Sequence, residues 1–274
     1  MNDDGITFLA GPAAFIQQQA IGLDCIAEDV IAAGGQVPNN QNKLRRHFTL
    51  TRPVANGQPT GIPALRMQVA NPALVPNFNP PSVRLPNGGV VRAIDALYLN
   101  AANSNTPLTQ LLFCDIVTQP GPNDAHVLFT LGMNGCSLVV LSAVPQGVPT
   151  LANGHLRVVH DRDHRNLAAW AAAGFTVRFA FYADAQGSGQ IPAAWQAAPP
   201  VIMNYNPHNL PWGQQGLMAQ VPAPRIATNF LFWDGLGWRV GSRHYFNLGG
   251  QNMRDAEGAA ISLVPPVSTQ SQPI

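Results

Sequence analysis

Cys136 stands directly after Asn134-Gly135 and opens the apolar stretch SLVVLSAV, which reads as a β-strand. Gly135 lets the backbone turn tightly there, so the thiol is displayed where a strand begins. Covalent cysteine chemistry needs a thiolate, a base close in space, and N–H donors for the oxyanion that forms on attack. The backbone N–H groups around Asn134, Gly135 and Cys136 are the candidate donors. The candidate bases are His155 and His160. ANGHLRVVHDRD reads as a turn at Asn153-Gly154 followed by a strand over 155–160. Strands 136–142 and 155–160 then pair antiparallel, and the start of the first lies beside the end of the second. That register selects His160 as the partner of Cys136 and leaves His155 at the far end. An incidental cysteine and histidine in one buried sheet would fit the same spacing.

Around these two residues lie other polar groups. HDRDH, beginning at His160, could bind a metal through its histidines and carboxylates. Strand alternation works against this, because it sends His160 and Arg162 to one face and Asp161 and Asp163 to the other. Asp163 as the N-cap of a following helix is the plainer reading, and Asp161 is a candidate to orient the imidazole. His126, His208 and His244 have no partner along the sequence and read as surface or satisfied histidines. Cys25, in a helix, and Cys114, in LLFCDIV, read as packing thiols. Trp233, Trp238, Tyr245 and Phe246 stand at hairpin spacing and read as cross-strand packing. The same aromatics could form a face for carbohydrate or peptide.

The elements that must position Cys136 and His160 are mostly strands. HFTLTR (47–52) and ALRMQVA (64–70) alternate like an antiparallel pair, and further strands are expected over 90–99, 111–118, 126–131 and 176–184. RIATNFLFW (225–233) and GWRVGSRHYF (237–246) form a hairpin around Asp234-Gly235. Helices are expected over 11–34, with Pro12 in the first turn and Gly34-Gly35 as the stop, and over 164–175. The segment 185–224 reads as a long loop. The expected class is α+β: one domain over 1–274, a β-rich twisted sandwich of mixed and antiparallel strands flanked by helices. It divides into the N-terminal helix, a β core over about 45–184, a loop and hairpin over about 185–250, and a frayed tail at 265–274.

Composition sets outer bounds. Hydrophobic residues make up 46% of the 274 positions, enough for a sizeable core, and charged residues only 11%, against about 25% in a typical domain. A net charge of +1 gives no bulk attraction to nucleic acid or an anionic membrane. Three cysteines without regular spacing argue against a disulfide framework and a CxxC zinc site. No apolar run reaches membrane-spanning length. MNDDGITFLAGPAAF carries acids where a signal peptide needs basic residues, which leaves export by another route open. Lys43 is the only lysine. That bias fits arginine-favouring codon usage, and it also fits a protein that escapes lysine-directed ubiquitination inside a foreign cell.

HVLFTLGMNGCSLVV followed by LRVVHDRD resembles the catalytic core of the cytotoxic necrotising factor and Burkholderia lethal factor group of glutamine deamidases. Met133-Asn134-Gly135-Cys136 takes the place of that group's Leu-Ser-Gly-Cys motif, with Asn134 where the motif has serine. Thr130 matches a threonine that resembles a third member of the lethal factor site. HFTLTR and ALRMQVANP are similar to its early strand pair. The resemblance covers about 47–165, and its specific part is about thirty residues.

The resemblance implies a toxin or effector, secreted or injected into a host cell, that deamidates a glutamine of a host protein. A GTPase or a translation factor is the kind of substrate implied, with no cofactor, no metal and no nucleic acid. Cys136 would be the nucleophile, His160 the base and Thr130 a support for His160. With an amine in place of water the same site would be a transglutaminase. A cysteine protease of papain type is disfavoured, because a strand rather than a helix follows Cys136. The non-enzymatic alternative is a β-sandwich binding or structural module with Cys136 buried and inert.

Overall fold

Two sheets face one another across a shared apolar layer, and side-chain alternation along their strands decides what enters that layer. The computed structural model describes residues 2–19, 21–23, 44–52, 54–55, 58–59, 62–67, 82–84, 89–101, 103–130, 132–133, 135–183, 187–205, 225–247 and 253–261.

β1 (Asn2–Asp3) leads into α1 (Asp4–Ala10), which Asp3 caps by accepting a 3.1 Å hydrogen bond from the Gly5 N–H. α2 (Pro12–Gln18) starts on Pro12, where the missing N–H has no intrahelical partner to lose. β2 (Gly22–Leu23), β3 (Leu44–Arg52), β4 (Val54–Ala55), β5 (Gln58–Pro59) and β6 (Ala64–Met67) follow. Next come β7 (Ser82–Arg84), β8 (Val90–Arg92), β9 (Ile94–Leu99), β10 (Phe113–Val117) and β11 (Val127–Thr130). β12 (Ser137–Ala143) and β13 (His155–Asp161) form the expected antiparallel pair. α3 (Leu167–Ala172), β14 (Thr176–Tyr182) and β15 (Val201–Asn204) follow, then β16 (Arg225–Trp233), β17 (Trp238–Asn247) and β18 (Met253–Ile261).

The larger sheet runs β18-β17-β16-β11-β9-β3-β6-β2, with β1 also on β3, and the smaller runs β10-β13-β12-β14-β15. Both are mixed: β11 lies parallel to β9 and antiparallel to β16, and β15 lies parallel to β14. One face of the larger sheet packs under α1 and α2, where Phe8, Phe15, Phe48, Phe129 and Phe230 cluster. Its other face, with Leu97, Leu128 and Leu231, meets Leu138, Val158 and Phe181 of the smaller sheet. The outer face of the smaller sheet packs Val139, Val159 and Val177 under Leu167 and Trp170 of α3. β12 is therefore buried on both faces, which explains its nearly continuous apolar run. The fold is α+β and strand-rich, as the sequence leads one to expect.

Several boundaries differ from the sequence reading. The N-terminal helix is not continuous over 11–34: Gln19 turns extended and Gly22–Leu23 pair with Ala64–Leu65, while residues 24–34, Cys25 among them, lie outside the described part. Glycine is a poor helix former, and pairing with β6 takes the chain out of the helix. α1 precedes the expected helix. The helix expected over 164–175 is shorter, because Asn166 rather than Asp163 is its N-cap and accepts a 3.0 Å bond from Ala169 N–H. The segment 185–224 holds β15, an edge strand whose half-exposed sequence carries no clear alternation. β18 follows the expected hairpin, although MRDAEGAAI is weakly β-forming. The expected tail, 265–274, lies outside the described residues.

Phe230 is fully buried, with ring centroids 5.5, 5.7 and 5.8 Å from Phe8, Phe129 and Phe232. Its cross-strand partner is Gly241, and a β-carbon there would lie 2.6 Å from Phe230 Cζ. The packed ring has no free space to yield, so Gly241→Ala is expected to destabilise the fold by about 1–3 kcal/mol. Urea denaturation measures this, and an unchanged midpoint would mean that the aromatic cluster can shift.

Candidate functional site

Thr130 and His160 meet in the inter-sheet layer, Cys136 packs against the same layer, and strand parity is the reason. In β11, Val127 and Phe129 face the helices while Leu128 faces the smaller sheet, so Thr130 shares the inter-sheet side with Leu128. In β13, Leu156 and Val158 face inward, which sends His160 inward as well. In β12, Leu138 and Val140 face inward, and Cys136, one residue before the strand, packs partly buried against the same layer.

The chain from Thr130 to Ser137 crosses from one sheet to the other. Met133 holds its near end by an isolated bridge to Ala227, with N–H to carbonyl distances of 2.8 and 2.9 Å. Gly135 turns it at φ +101°, a conformation that side chains with a Cβ rarely adopt, and nothing crowds the position of a β-carbon there. Asn134, the other candidate backbone donor, lies outside the described residues. At the far end the Tyr205 hydroxyl donates a 2.5 Å hydrogen bond to the Cys136 carbonyl.

Across β12 and β13, Leu138 lies opposite His160. Cys136 lies one residue before β12 and packs against the same apolar layer. His160 is 1% exposed, and its Nδ1 lies 2.6 Å from Thr130 Oγ1. Its Nε2 is buried without a hydrogen-bond partner. If Nδ1–H donates to Thr130, Nε2 carries the lone pair that can accept a proton. In the other tautomer Nε2–H is a donor and His160 cannot act as a base from that nitrogen. Burial, reinforced by the positive charge of Arg162, lowers the His160 pKa to about 3. The imidazole is therefore neutral near pH 7, a weaker base than a free imidazole and no partner for a resting ion pair with a thiolate.

Asp161 does not orient the imidazole. As the next residue in the strand it faces the opposite side. There its carboxylate accepts bonds from Asp163 N–H at 3.1 Å, Arg165 N–H at 2.8 Å and Arg165 Nη1 at 2.6 Å. Burial raises its pKa, and the bonds from Arg165 work against that rise. Asp163 accepts from Asn105 N–H and pairs with Arg165, so the HDRDH segment is tied to its own loops. Among the described residues no three His, Cys, Asp or Glu side chains gather as a metal set. Cys114 is fully buried in the inter-sheet layer, and His155 sits at the far end of β13, on the Asn153 carbonyl. The exposed His126 contacts the Gly121 carbonyl. Trp233 and Trp238 pair across the hairpin at 6.1 Å. His208 lies outside the described residues.

Tyr205 escaped the sequence reading because it follows β15 inside the segment taken as loop. No local pattern marks it, since its reach to Cys136 depends on β15 lying parallel to β14. No protein-family model matches the chain, and no curated protein matches it.

Two outcomes are expected from this geometry. Thr130→Val removes the hydroxyl and leaves Nδ1 as well as Nε2 unpaired in an apolar layer, at a cost of about 1–3 kcal/mol in chemical denaturation. His160 has a lower pKa folded than unfolded, so its contribution to stability is complete above pH 6.5 and is lost as pH falls toward about 3. Within that window the loss is at most about 1.4 kcal/mol per pH unit. His160→Asn is expected to flatten the fall in stability between pH 6.5 and 4. An equal slope in variant and parent would place the imidazole in contact with water.

Proposed function

We propose that the chain is a cysteine-dependent protein-glutamine deamidase, a toxin or effector that modifies a host protein. One observation carries this reading: a buried, neutral imidazole, held at Nδ1 by Thr130, keeps Nε2 unpaired in the layer against which Cys136 packs. The resemblance of 47–165 to the necrotising and lethal factor group leads to the same chemistry, residue by residue, at Thr130, Cys136 and His160.

Cys136 gives its Sγ proton to His160 Nε2, and the sulfur attacks the carboxamide carbon of a target glutamine. Backbone N–H groups of the Gly135–Cys136 turn stabilise the oxyanion. The C–N bond then breaks, and ammonia leaves with the proton that His160 returns. His160 next takes a proton from water, and the hydroxide attacks the thioester. Thiol and glutamate are the products. An amine in place of water would give transglutamination. The substrate is a folded host protein, a GTPase or translation factor among the candidates, reached by secretion or injection.

A second reading has its own support. Cys136 packs against the apolar layer and His160 is almost fully buried, as expected of packing residues in a non-enzymatic β-sandwich module.

The test is incubation of the protein with a eukaryotic cell lysate, followed by peptide mass analysis for glutamines that gain about one mass unit. Conversion of a defined glutamine is expected, with loss of at least about a hundredfold in rate in Cys136→Ser and His160→Ala. Equal conversion by parent and Cys136→Ser would sink the deamidase reading. No conversion by any protein, with Cys136 inert to iodoacetamide until unfolding, would favour the module.

A further inference from the structure

We propose that Tyr205 is the positioning residue for the nucleophile, fixing the backbone of Cys136 so that its thiol is directed at His160; this role rests on the deamidase reading. The pairing of β12 with its neighbours begins just after Cys136. Ser137 is opposite Asp161 in β13, and Leu138 is opposite Phe181 in β14. On the other side the bridge at Met133 holds the chain, and Gly135 lies between at φ +101°. The thiol-bearing residue therefore sits at the end of a turn, one residue short of the registered strand.

Tyr205 supplies a constraint from the far side of β14. Its N–H donates to the Tyr182 carbonyl at 2.9 Å, which continues the pairing of β15 with β14 by one residue. Its ring is fully buried, with its centroid 5.1 Å from that of Phe181. From that base the hydroxyl reaches past β14 and donates to the Cys136 carbonyl at 2.5 Å. A held carbonyl fixes the peptide plane between Cys136 and Ser137 and so, together with the Met133 bridge on the other side, limits the directions in which the side chain can leave the backbone. Bond-forming geometry is sensitive to displacements of this size: a shift of about 1 Å can cost about a hundredfold in rate. The hydroxyl donates to a neutral carbonyl, so Tyr205 acts through the Cys136 backbone and is a positioning residue, not a catalytic one.

The experiment compares alkylation of Cys136 by iodoacetamide at pH 7 and pH 9.5, with the modified cysteine located by peptide mass. A free thiol with a pKa of about 8.5 reacts about thirtyfold faster at the higher pH. His160 taking the proton as the sulfur attacks should raise the pH 7 rate and close most of that gap, to less than about threefold in the parent protein. Tyr205→Phe keeps the ring and removes only the hydroxyl. It is expected to slow labelling about tenfold at pH 7 while leaving the pH 9.5 rate within about twofold, as His160→Ala should also do. Phe181→Leu, which loosens the packing around Tyr205 but keeps its hydroxyl, should lower the melting temperature and preserve the parent ratio. The proposal is overturned if Tyr205→Phe keeps the parent ratio, or if Phe181→Leu loses it equally. If the parent protein itself behaves like a free thiol and His160→Ala changes nothing, the deamidase reading fails and the positioning role falls with it.

Discussion

The apolar layer between the two sheets is the constraint on which everything else depends. Leu97, Leu128 and Leu231 from one sheet meet Leu138, Val158 and Phe181 from the other, all almost completely removed from water. Each such side chain contributes about 1.5–3 kcal/mol on burial, before chain entropy is counted against it. Once the layer forms, every second residue of β11, β12 and β13 is committed to it. The polar residues Thr130 and His160 enter because they share parity with Leu128 and Val158, not because the layer welcomes them.

That commitment has an electrostatic consequence. Thr130 satisfies one imidazole nitrogen of His160 and leaves the other unpaired. An unsatisfied buried nitrogen costs about 1–3 kcal/mol, and a charged imidazole in the same place would cost more. The layer resolves this by keeping His160 neutral. The same burial that penalises the charged form leaves a lone pair on the ring but makes it a weaker base than a free imidazole. On the opposite face of β13 Asp161 meets a different solution, a guanidinium and two N–H groups that satisfy its carboxylate. Two adjacent residues thus live in unlike environments because a strand sends them to opposite sides.

The crossover from Thr130 to Ser137 links both sheets and carries Cys136 at its end. Its anchors come from distant parts of the chain: Ala227 in β16 holds Met133, and Tyr205 after β15 holds Cys136. Ring packing, strand pairing and one hydroxyl replace regular structure where the chain must turn. No strand runs through the thiol-bearing residue itself; it is held by anchors that belong to the flanking sheets.

Much of this could be read from the residues in order. Alternation and turn residues identified the β3–β6 pair, the β12–β13 hairpin and the β16–β17 hairpin, and the hairpin register alone chose His160 over His155. These are short-range features, decided by period-two patterning and by Gly-containing turns, so neighbouring sequence is enough. Thr130 had no such local signal; only a resemblance named it, and its contact with His160 required two sheets to dock. The end of the N-terminal helix at Gln18, the pairing of β15 with β14 and the reach of Tyr205 depend likewise on partners far along the chain. So does the protonation state of His160, which follows from how completely the layer closes over it. The sequence by itself determined which faces its strands present and which near neighbours pair. Tertiary structure decided which faces meet, because that choice rests on the summed burial of many distant side chains against the entropy of closing the loops between them.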